Sequence, residues 1–393
     1  MTFQMPKVTF WRVVFVIVAI FGLYATVIRF TQGLGAVTNL SDDFPWGLWI
    51  GFDVLCGVML AAGGFTLMAT VHIFNVEKFR PIVRPTLLTA FLGYLLVIAA
   101  LMFDLGRPYR IWHPLVMWNP RSVMFEVGWC VTLYTTVLSL EFAPIVFERL
   151  RMEKILKVLR AISLPLVIAG VILSTLHQSS LGSLYLITPG KLHPLWYSPL
   201  LPVFFFISAL AVGIAMTIFE SNLSARNLGH HLKPSLIMQL GKILTVLLVF
   251  YGVMRLQDLY HRDAMQFAFT FDYESRLFLA EMGIGLFIPL AMLIIPKVRQ
   301  STLGLYLISI LVVLGFVINR MNVGITGLET WAGGRYIPKW TEISVTLFIV
   351  ALGAAAFAIA TKYLPIFEEP TESSEIEHVA DLPHTAVPAP SRT

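Results

Sequence analysis

Ten apolar stretches, near residues 10–30, 47–74, 86–105, 123–147, 158–178, 199–220, 235–256, 276–295, 301–319 and 341–363, approach or exceed the span of a bilayer. A membrane-crossing helix needs roughly 20 such residues. Only 13% of the 393 residues are charged and 57% are hydrophobic, with a mean hydropathy of +0.78. A water-soluble domain carries about 25% charged residues. The chain therefore reads as an all-α integral membrane protein of about ten transmembrane helices, comprising residues 1–363. The first apolar run has no small-residue cleavage site after it and reads as a retained helix, not a signal peptide. Residues 364–393 change character, with Glu368, Glu369, Glu372, Glu375, Glu377 and Asp381 among prolines. That composition predicts a disordered cytoplasmic tail.

An even number of spans places both termini on one side, here called side A. Lys and Arg number 15 on side A and 11 on side B, and the run from Arg149 to Arg160 is the strongest contributor. The positive-inside rule makes side A cytoplasmic. The net charge of +5 thus reflects membrane flanks and not nucleic-acid binding. The side-B loops, read as 106–122, 179–198, 257–275 and 320–340, are long and rich in Trp, Tyr, Pro and Gly. They suit an interfacial aromatic belt or a docking platform for an extracytoplasmic partner.

The stretch from Asp104 to Glu126 leaves one apolar helix and enters the next, carrying an Asp, three Arg, a His and a Glu. Ionisable groups at membrane depth are functional candidates by default. A weaker copy runs from Asp258 to Glu281. Arg121-x4-Glu126-x-Gly128 matches Arg276-x4-Glu281-x-Gly283, and the Asp-to-Glu separations are 22 and 23 residues. This predicts two related helical bundles.

Following each helix's direction sorts the polar residues by depth. Asp53, Asp104, Glu126, His177, Gln178, Arg255, Asp258, Glu281, Asn319 and Glu342 fall towards side B, and His72, Glu141, Glu220, Gln239 and Lys242 towards side A. One reading is structural, with Arg107 pairing Asp104 and Arg255 pairing Asp258. The other is a quinol site. A quinol loses two protons with its two electrons, so each oxygen needs a hydrogen-bonding partner, one of which accepts a proton near neutral pH. A His does so unperturbed, and a partly buried carboxyl does so because burial disfavours its charge. His177 with Asp104 or Glu126, lined by Trp112, Trp118 and Trp129, would meet those demands. On side A, His72, Glu141, Glu220 and Lys242 suggest a cytoplasmic half-path for protons, and Asp258 and Glu281 on side B are further candidates for a proton path. The bland alternative there is that Glu141, Glu220 and Lys242 snorkel to the interface.

Metal chemistry finds little support. Cys56 and Cys130 stand alone in apolar segments and cannot hold an iron–sulfur cluster. Only His72 and His177 lie in or at the ends of apolar helices, at opposite faces, so a shared haem iron is not expected. No nucleotide-binding loop, nucleophile elbow or zinc spacing stands out. Gly63-Gly64 reads as close helix packing.

The run from Arg29 to Val58 (RFTQGLGAVTNLSDDFPWGLWIGFDVLCGV), Asp104-Leu-Gly-Arg-Pro108, Leu176–Leu186 (LHQSSLGSLYL) and Trp196–Pro202 (WYSPLLP) together resemble the NrfD/polysulfide-reductase membrane-subunit family, most of all its HybB branch, the membrane subunit of hydrogenase-2-type complexes. The likeness covers about residues 10–363. It implies two four-helix bundles plus flanking helices, no haem or iron–sulfur cluster in this chain, and a quinone site near the extracytoplasmic face. That site would be fed by an iron–sulfur, ferredoxin-like subunit and a catalytic subunit such as a [NiFe]-hydrogenase. It carries roles onto Asp104 and Arg107, Glu126, His177 with Gln178 and Ser179, and Asp53. The resulting expectation is a quinone-reactive subunit in a bacterial inner membrane. Asp104, His177 and Glu126 handle protons there, and Asp53, Arg107, Trp112 and Gln178 complete the site. Menaquinone and ubiquinone both remain open. A secondary transporter and a passive membrane anchor are the alternatives.

Overall fold

The computed structural model describes residues 9–187, 190–228 and 233–367. The paired His230 and His231 and the acidic tail beyond Phe367 lie outside the described residues. Among those described there is no strand, and ten helices are long and apolar enough to cross a membrane. They are α1 (Phe10–Gln32), α2 (Trp49–His72), α3 (Glu77–Asp104), α4 (Val123–Arg149), α5 (Ser163–Leu184), α6 (Leu201–Arg226), α7 (Pro234–His261), α8 (Tyr273–Ile294), α9 (Thr302–Ala332) and α10 (Trp340–Tyr363). Helices satisfy every backbone group internally, which lipid requires.

Local chemistry sets the ends. Ser122, Asp272 and Ser301 cap α4, α8 and α9 by accepting from Phe125, Ser275 and Gly304 backbone N–H groups. Gly333, at φ +68°, closes α9 in the left-handed region that glycine adopts freely. Three apolar stretches prove longer or shifted. Helix α3 begins at Glu77 because Pro81 falls in its first turn, where no N–H is needed. Helix α9 continues through a π-helical segment, Asn322–Thr326, to Ala332.

The third difference matters most. Residues 158–161 belong to a separate amphipathic helix, Glu153–Ala161, and α5 runs from Ser163 to Leu184. The polar Gln-Ser-Ser run does not end it. Ser179, Ser180 and Ser183 bond back to the carbonyls of Thr175, Leu176 and Ser179, so the hydroxyls are satisfied within the helix. His177 therefore lies about two turns inside α5. The side-B loops shrink accordingly.

Helices α2, α3, α4 and α5 pack as one bundle and α6, α7, α8 and α9 as a second. Helices α1 and α10 pair with each other and lean on α3. The bundles meet where α2 crosses α6. A methyl group on Gly63 would stand 2.9 Å from the Gly213 carbonyl oxygen, so only glycine permits this approach. The packed chain continues past Tyr363: Ile366 is buried, and Arg84 Nη1 donates to the Pro365 carbonyl at 2.9 Å.

Candidate functional site

Three groups of polar side chains are buried in these bundles. The first lies at the side-B end of α3. Asp104 closes that helix, and one of its carboxyl oxygens is buried without a hydrogen-bond partner. The expected partner Arg107 is exposed and makes no ion pair with it. Arg29 takes that place. Reaching from α1, it donates Nε to the Phe103 carbonyl at 2.5 Å and Nη2 to the Leu105 carbonyl at 2.6 Å, which places its charge beside Asp104. A cation capping a helix C-terminus offsets the partial negative charge there. Asp53 and Glu342 are further charged neighbours of Asp104 or of one another. Asp53 accepts from Thr346 Oγ1 at 2.8 Å. Glu342 takes the backbone N–H of Asn39 and Lys339, each at 3.0 Å, and the Tyr336 hydroxyl.

The second group lies deeper in the first bundle. His177 is fully buried, with the Tyr94 hydroxyl 3.3 Å from each ring nitrogen. Tyr134 packs edge-on to Tyr94, ring centroids 4.6 Å apart, and also contacts His177. Ser174 sits close to both tyrosine hydroxyls, yet Ser174 Oγ and Tyr134 OH are buried without meeting hydrogen-bond geometry. Gln178 lies beside Tyr94 and donates to the Val58 carbonyl at 3.0 Å. Tyr94 precedes Asp104 by ten residues on α3, about 15 Å at 1.5 Å per residue. The His177 cluster therefore lies deeper along α3 than Asp104.

Glu126 lies at the bundle surface, and its partner Ser180 is less than one turn beyond His177 on α5. It is exposed in the first turn of α4 and accepts from Ser180 Oγ at 2.7 Å. Trp112 is 51% exposed in the loop and lines nothing with His177. Trp118, Trp129 and Phe125 pack together at tilted angles near the side-B end of α4.

Towards side A, a cavity of about 450 Å³ opens among α2, α3, α4, α5 and the amphipathic helix. His72, Arg80, Arg84, Glu148 and Arg160 line it, and Glu141 lies on its wall with one carboxyl oxygen buried and unbonded. Glu141 is seven residues from Tyr134 on α4, about two helical turns. Polar groups thus recur along the first bundle from the cavity to the His177 cluster.

The third group fills the second bundle. Glu281 accepts from Trp196 Nε1 (3.0 Å), Asn322 Nδ2 (2.7 Å) and Asn319 Nδ2 (3.1 Å). Arg320, 1% exposed, donates to Asn319, the Phe205 carbonyl and Ser208, and stacks on Phe205. Asp258 binds Ser198 and both arms of Arg262, and the expected pair with Arg255 is present at 3.6 Å. The space beside Glu281 is about 10 Å³, too small for a substrate. Asp258 and Glu281 are each held by these partners.

Arg29, Tyr94, Tyr134, Ser174 and Arg320 are absent from the candidates named on sequence. In sequence Arg29 is marked only as the first residue of the family-like run, Tyr94 lies in an apolar run, and Tyr134 stands beside only the threonines Thr135 and Thr136.

The family description "Polysulphide reductase, NrfD" matches residues 36–332. The chain belongs to the NrfD family. It is 34% identical over 357 residues to the "Probable Ni/Fe-hydrogenase 2 b-type cytochrome subunit" of Escherichia coli K12, covering 90% of this chain and 91% of that one. It is 30% identical over 401 residues to the "Menaquinone reductase, integral membrane subunit" of Nitratidesulfovibrio vulgaris Hildenborough, covering 94% of each. A further protein of that organism, given no function in its name, is 42% identical over 90% of this chain and 93% of its own length. The NrfD chain is thus a multi-pass membrane protein of the HybB-like type. The "b-type cytochrome" in one relative's name invites a test for haem. The ring nitrogens of His177 face Tyr94 rather than an open coordination position, and among the described residues no second His packs against it. His72, at the side-A end of α2, turns Nδ1 to the Met68 carbonyl at 3.2 Å. These residues do not fit a bis-histidine haem, and no step below passes through one.

Proposed function

We propose that this NrfD chain is the quinone-reactive membrane subunit of a multisubunit oxidoreductase in a bacterial inner membrane, with side A cytoplasmic. An iron–sulfur, ferredoxin-like subunit and a catalytic subunit of hydrogenase type dock on side B. The names of the two relatives support the redox setting and the quinone. The observation that carries the reading is the buried, unbonded carboxyl oxygen of Asp104 at the side-B end of the first bundle. A buried polar atom without a partner is costly, and native structures keep such atoms chiefly where they have work to do.

A quinone gains two electrons and two protons to become a quinol. Asp104 is placed to bond a ring oxygen and exchange a proton with it. Asp53 is the second acid of the pair, and Thr346 holds its orientation. Arg29 fixes the end of α3 and offsets the charge left on Asp104. Arg107 and Trp112, both exposed, belong to the face presented to lipid or the partner. His177 serves as a relay and not a ring ligand. Protons enter from the side-A cavity at Glu141, pass Tyr134 and Ser174, and reach His177 and Tyr94. Glu126 with Ser180 forms the side-B exit. Movement of protons across the whole membrane rests on this series.

The position of His177 inside α5 and the π-helical breaks in α2, α8 and α9 also suit a transporter. The relatives' names favour the redox reading.

The test is Asp104→Asn in the intact complex. Quinone reduction should fall by roughly a hundredfold, the ordinary share of a general acid or base, while the partner's clusters still become reduced. An unchanged rate would leave the chain as a passive anchor.

A further inference from the structure

The mouth of the side-A cavity carries more cations than a proton entry requires. Arg80 and Arg84 come from α3 and Arg160 from the amphipathic helix Glu153–Ala161. Arg84 is engaged with Pro365 and Glu148, and Arg80 with Glu77 at 3.1 Å where both are well exposed. Arg160 makes no ion pair among the described residues. From Arg149 to Arg160 the chain holds five cations (Arg149, Arg151, Lys154, Lys157 and Arg160) against one acid, Glu153.

The amphipathic helix joins the side-A ends of α4 and α5, which pack side by side, so it runs along the membrane face. Leu156 and Leu159 point inward and are buried, whereas Lys154, Lys157 and Arg160 are exposed. Val158 is 61% exposed and Ile162 38%, placing apolar side chains beside the cations. A surface helix with this division lies in the headgroup region and is drawn to anionic lipid. Below its charged rim the cavity is walled by Val83, Leu87, Leu140 and Ile145. A free inorganic anion would use only the rim. A molecule with an anionic head and hydrocarbon chains would use both.

We propose that the cavity mouth and the amphipathic helix form a binding site for an anionic phospholipid, its phosphate held by Arg160, Arg80 and Lys157 and an acyl chain along the apolar wall. Basic pockets between helices on the cytoplasmic side suit such headgroups. The site uses none of the residues assigned to the quinone and sits at the opposite membrane face, at the mouth of the cavity where Glu141 is proposed to take up protons.

The test uses the full chain purified in detergent and offered an equimolar mixture of phosphatidylglycerol and phosphatidylcholine. Native mass spectrometry counts the lipids retained. The wild type should retain phosphatidylglycerol preferentially. The double variant Lys157→Gln/Arg160→Gln should lose that preference by about fivefold per cation removed, following the ordinary strength of a basic residue at an anionic surface. Arg121→Gln/Arg276→Gln, which removes two exposed cations from side B, should leave it intact. Both variants change exposed side chains, and a single symmetric size-exclusion peak confirms folding. Equal retention of both lipids by the wild type would overturn the proposal. So would an unmoved preference in the Lys157/Arg160 variant. Full displacement of phosphatidylglycerol by millimolar inorganic phosphate would reduce the site to a simple anion site and also overturn it.

Discussion

Glu126 and Glu281 hold the same place in the same motif, one in each bundle, and they meet opposite environments. Glu281 is 4% exposed, with both oxygens occupied by Trp196, Asn319 and Asn322. Glu126 is exposed and shares a single bond with Ser180. The difference extends through the bundles. In the first, Asp104, Tyr134, Ser174 and Glu141 each keep a buried atom without a partner, and a cavity reaches in from one face. In the second, Glu281 and Asp258 are enclosed by side-chain donors and lie beside Arg255 and Arg262, although Glu220, Gln239, Arg255 and Glu329 of that bundle also keep buried atoms without a partner. The matching motif position has thus been finished in two ways. A satisfied network such as that around Glu281 rigidifies, and an incompletely satisfied one keeps groups available for protons or ligand.

The largest effect should come from breaking the sealed bundle. Glu281→Ala leaves three donors without an acceptor and Arg320 without its opposite charge. Removing one partner of a buried charged network costs about 3–5 kcal/mol. Thermal unfolding in detergent should therefore show a much lower midpoint or little folded protein. Glu126→Ala should cost less than about 1 kcal/mol, the net worth of one hydrogen bond. Equal losses from the two substitutions would erase the distinction between the bundles.

A smaller and opposite effect is expected at Glu141. Glu141→Gln removes an acid from the cavity wall without removing a bonded partner, so the unfolding midpoint should hold or rise slightly. Proton uptake from side A, followed with a pH dye in vesicles carrying the complex, should slow, and His72→Gln should act in the same direction. Stability loss with normal uptake would make Glu141 a structural residue and remove the entry half of the path.

Much of this comparison was legible in the sequence. The ten spans, the repeat and the acids at its anchor points all follow from hydropathy and spacing. Depth was not, because Gln178-Ser179-Ser180 looks like the end of a helix. Serine hydroxyls that bond the preceding turn let the helix continue, and that moved His177 inward by about two turns. Partners distant in sequence were also hidden. Arg29 reaches carbonyls 74 and 76 residues away, so the nearer Arg107 was the natural but mistaken mate for Asp104. The opposite fates of Glu126 and Glu281 depend on Ser180, Trp196, Asn319 and Asn322, none of which belongs to the shared motif.

The smallest effect concerns how the second bundle is closed on side B. The segment between α5 and α6 lies over it: Trp196 bonds Glu281, Ser198 bonds Asp258, and Arg255 and Arg262 reach the carbonyls of Leu195 and Pro194. His193 pins this segment, donating its backbone N–H to the Gly327 carbonyl at 2.7 Å and accepting the Leu195 N–H on Nδ1 at 3.2 Å. Burial pushes the His193 pKa below its ordinary value, opposed by Glu274 and Asp272. The unfolded state therefore binds the proton more readily than the folded state. The stabilisation is complete above the ordinary histidine value of about 6.5 and is lost as pH falls below it. Protonation of Nδ1 removes the acceptor for Leu195. Amide exchange at Leu195 and Trp196 should accelerate, beyond the intrinsic pH trend, as pH falls below about 6.5, the ordinary histidine value. In His193→Gln that excess should vanish, while exchange in the loop between α3 and α4 should show the same trend in both proteins. An excess that persists in the variant would assign the closure to Asp258 and Glu281 alone, and the second bundle would then be sealed from within and not by its covering segment.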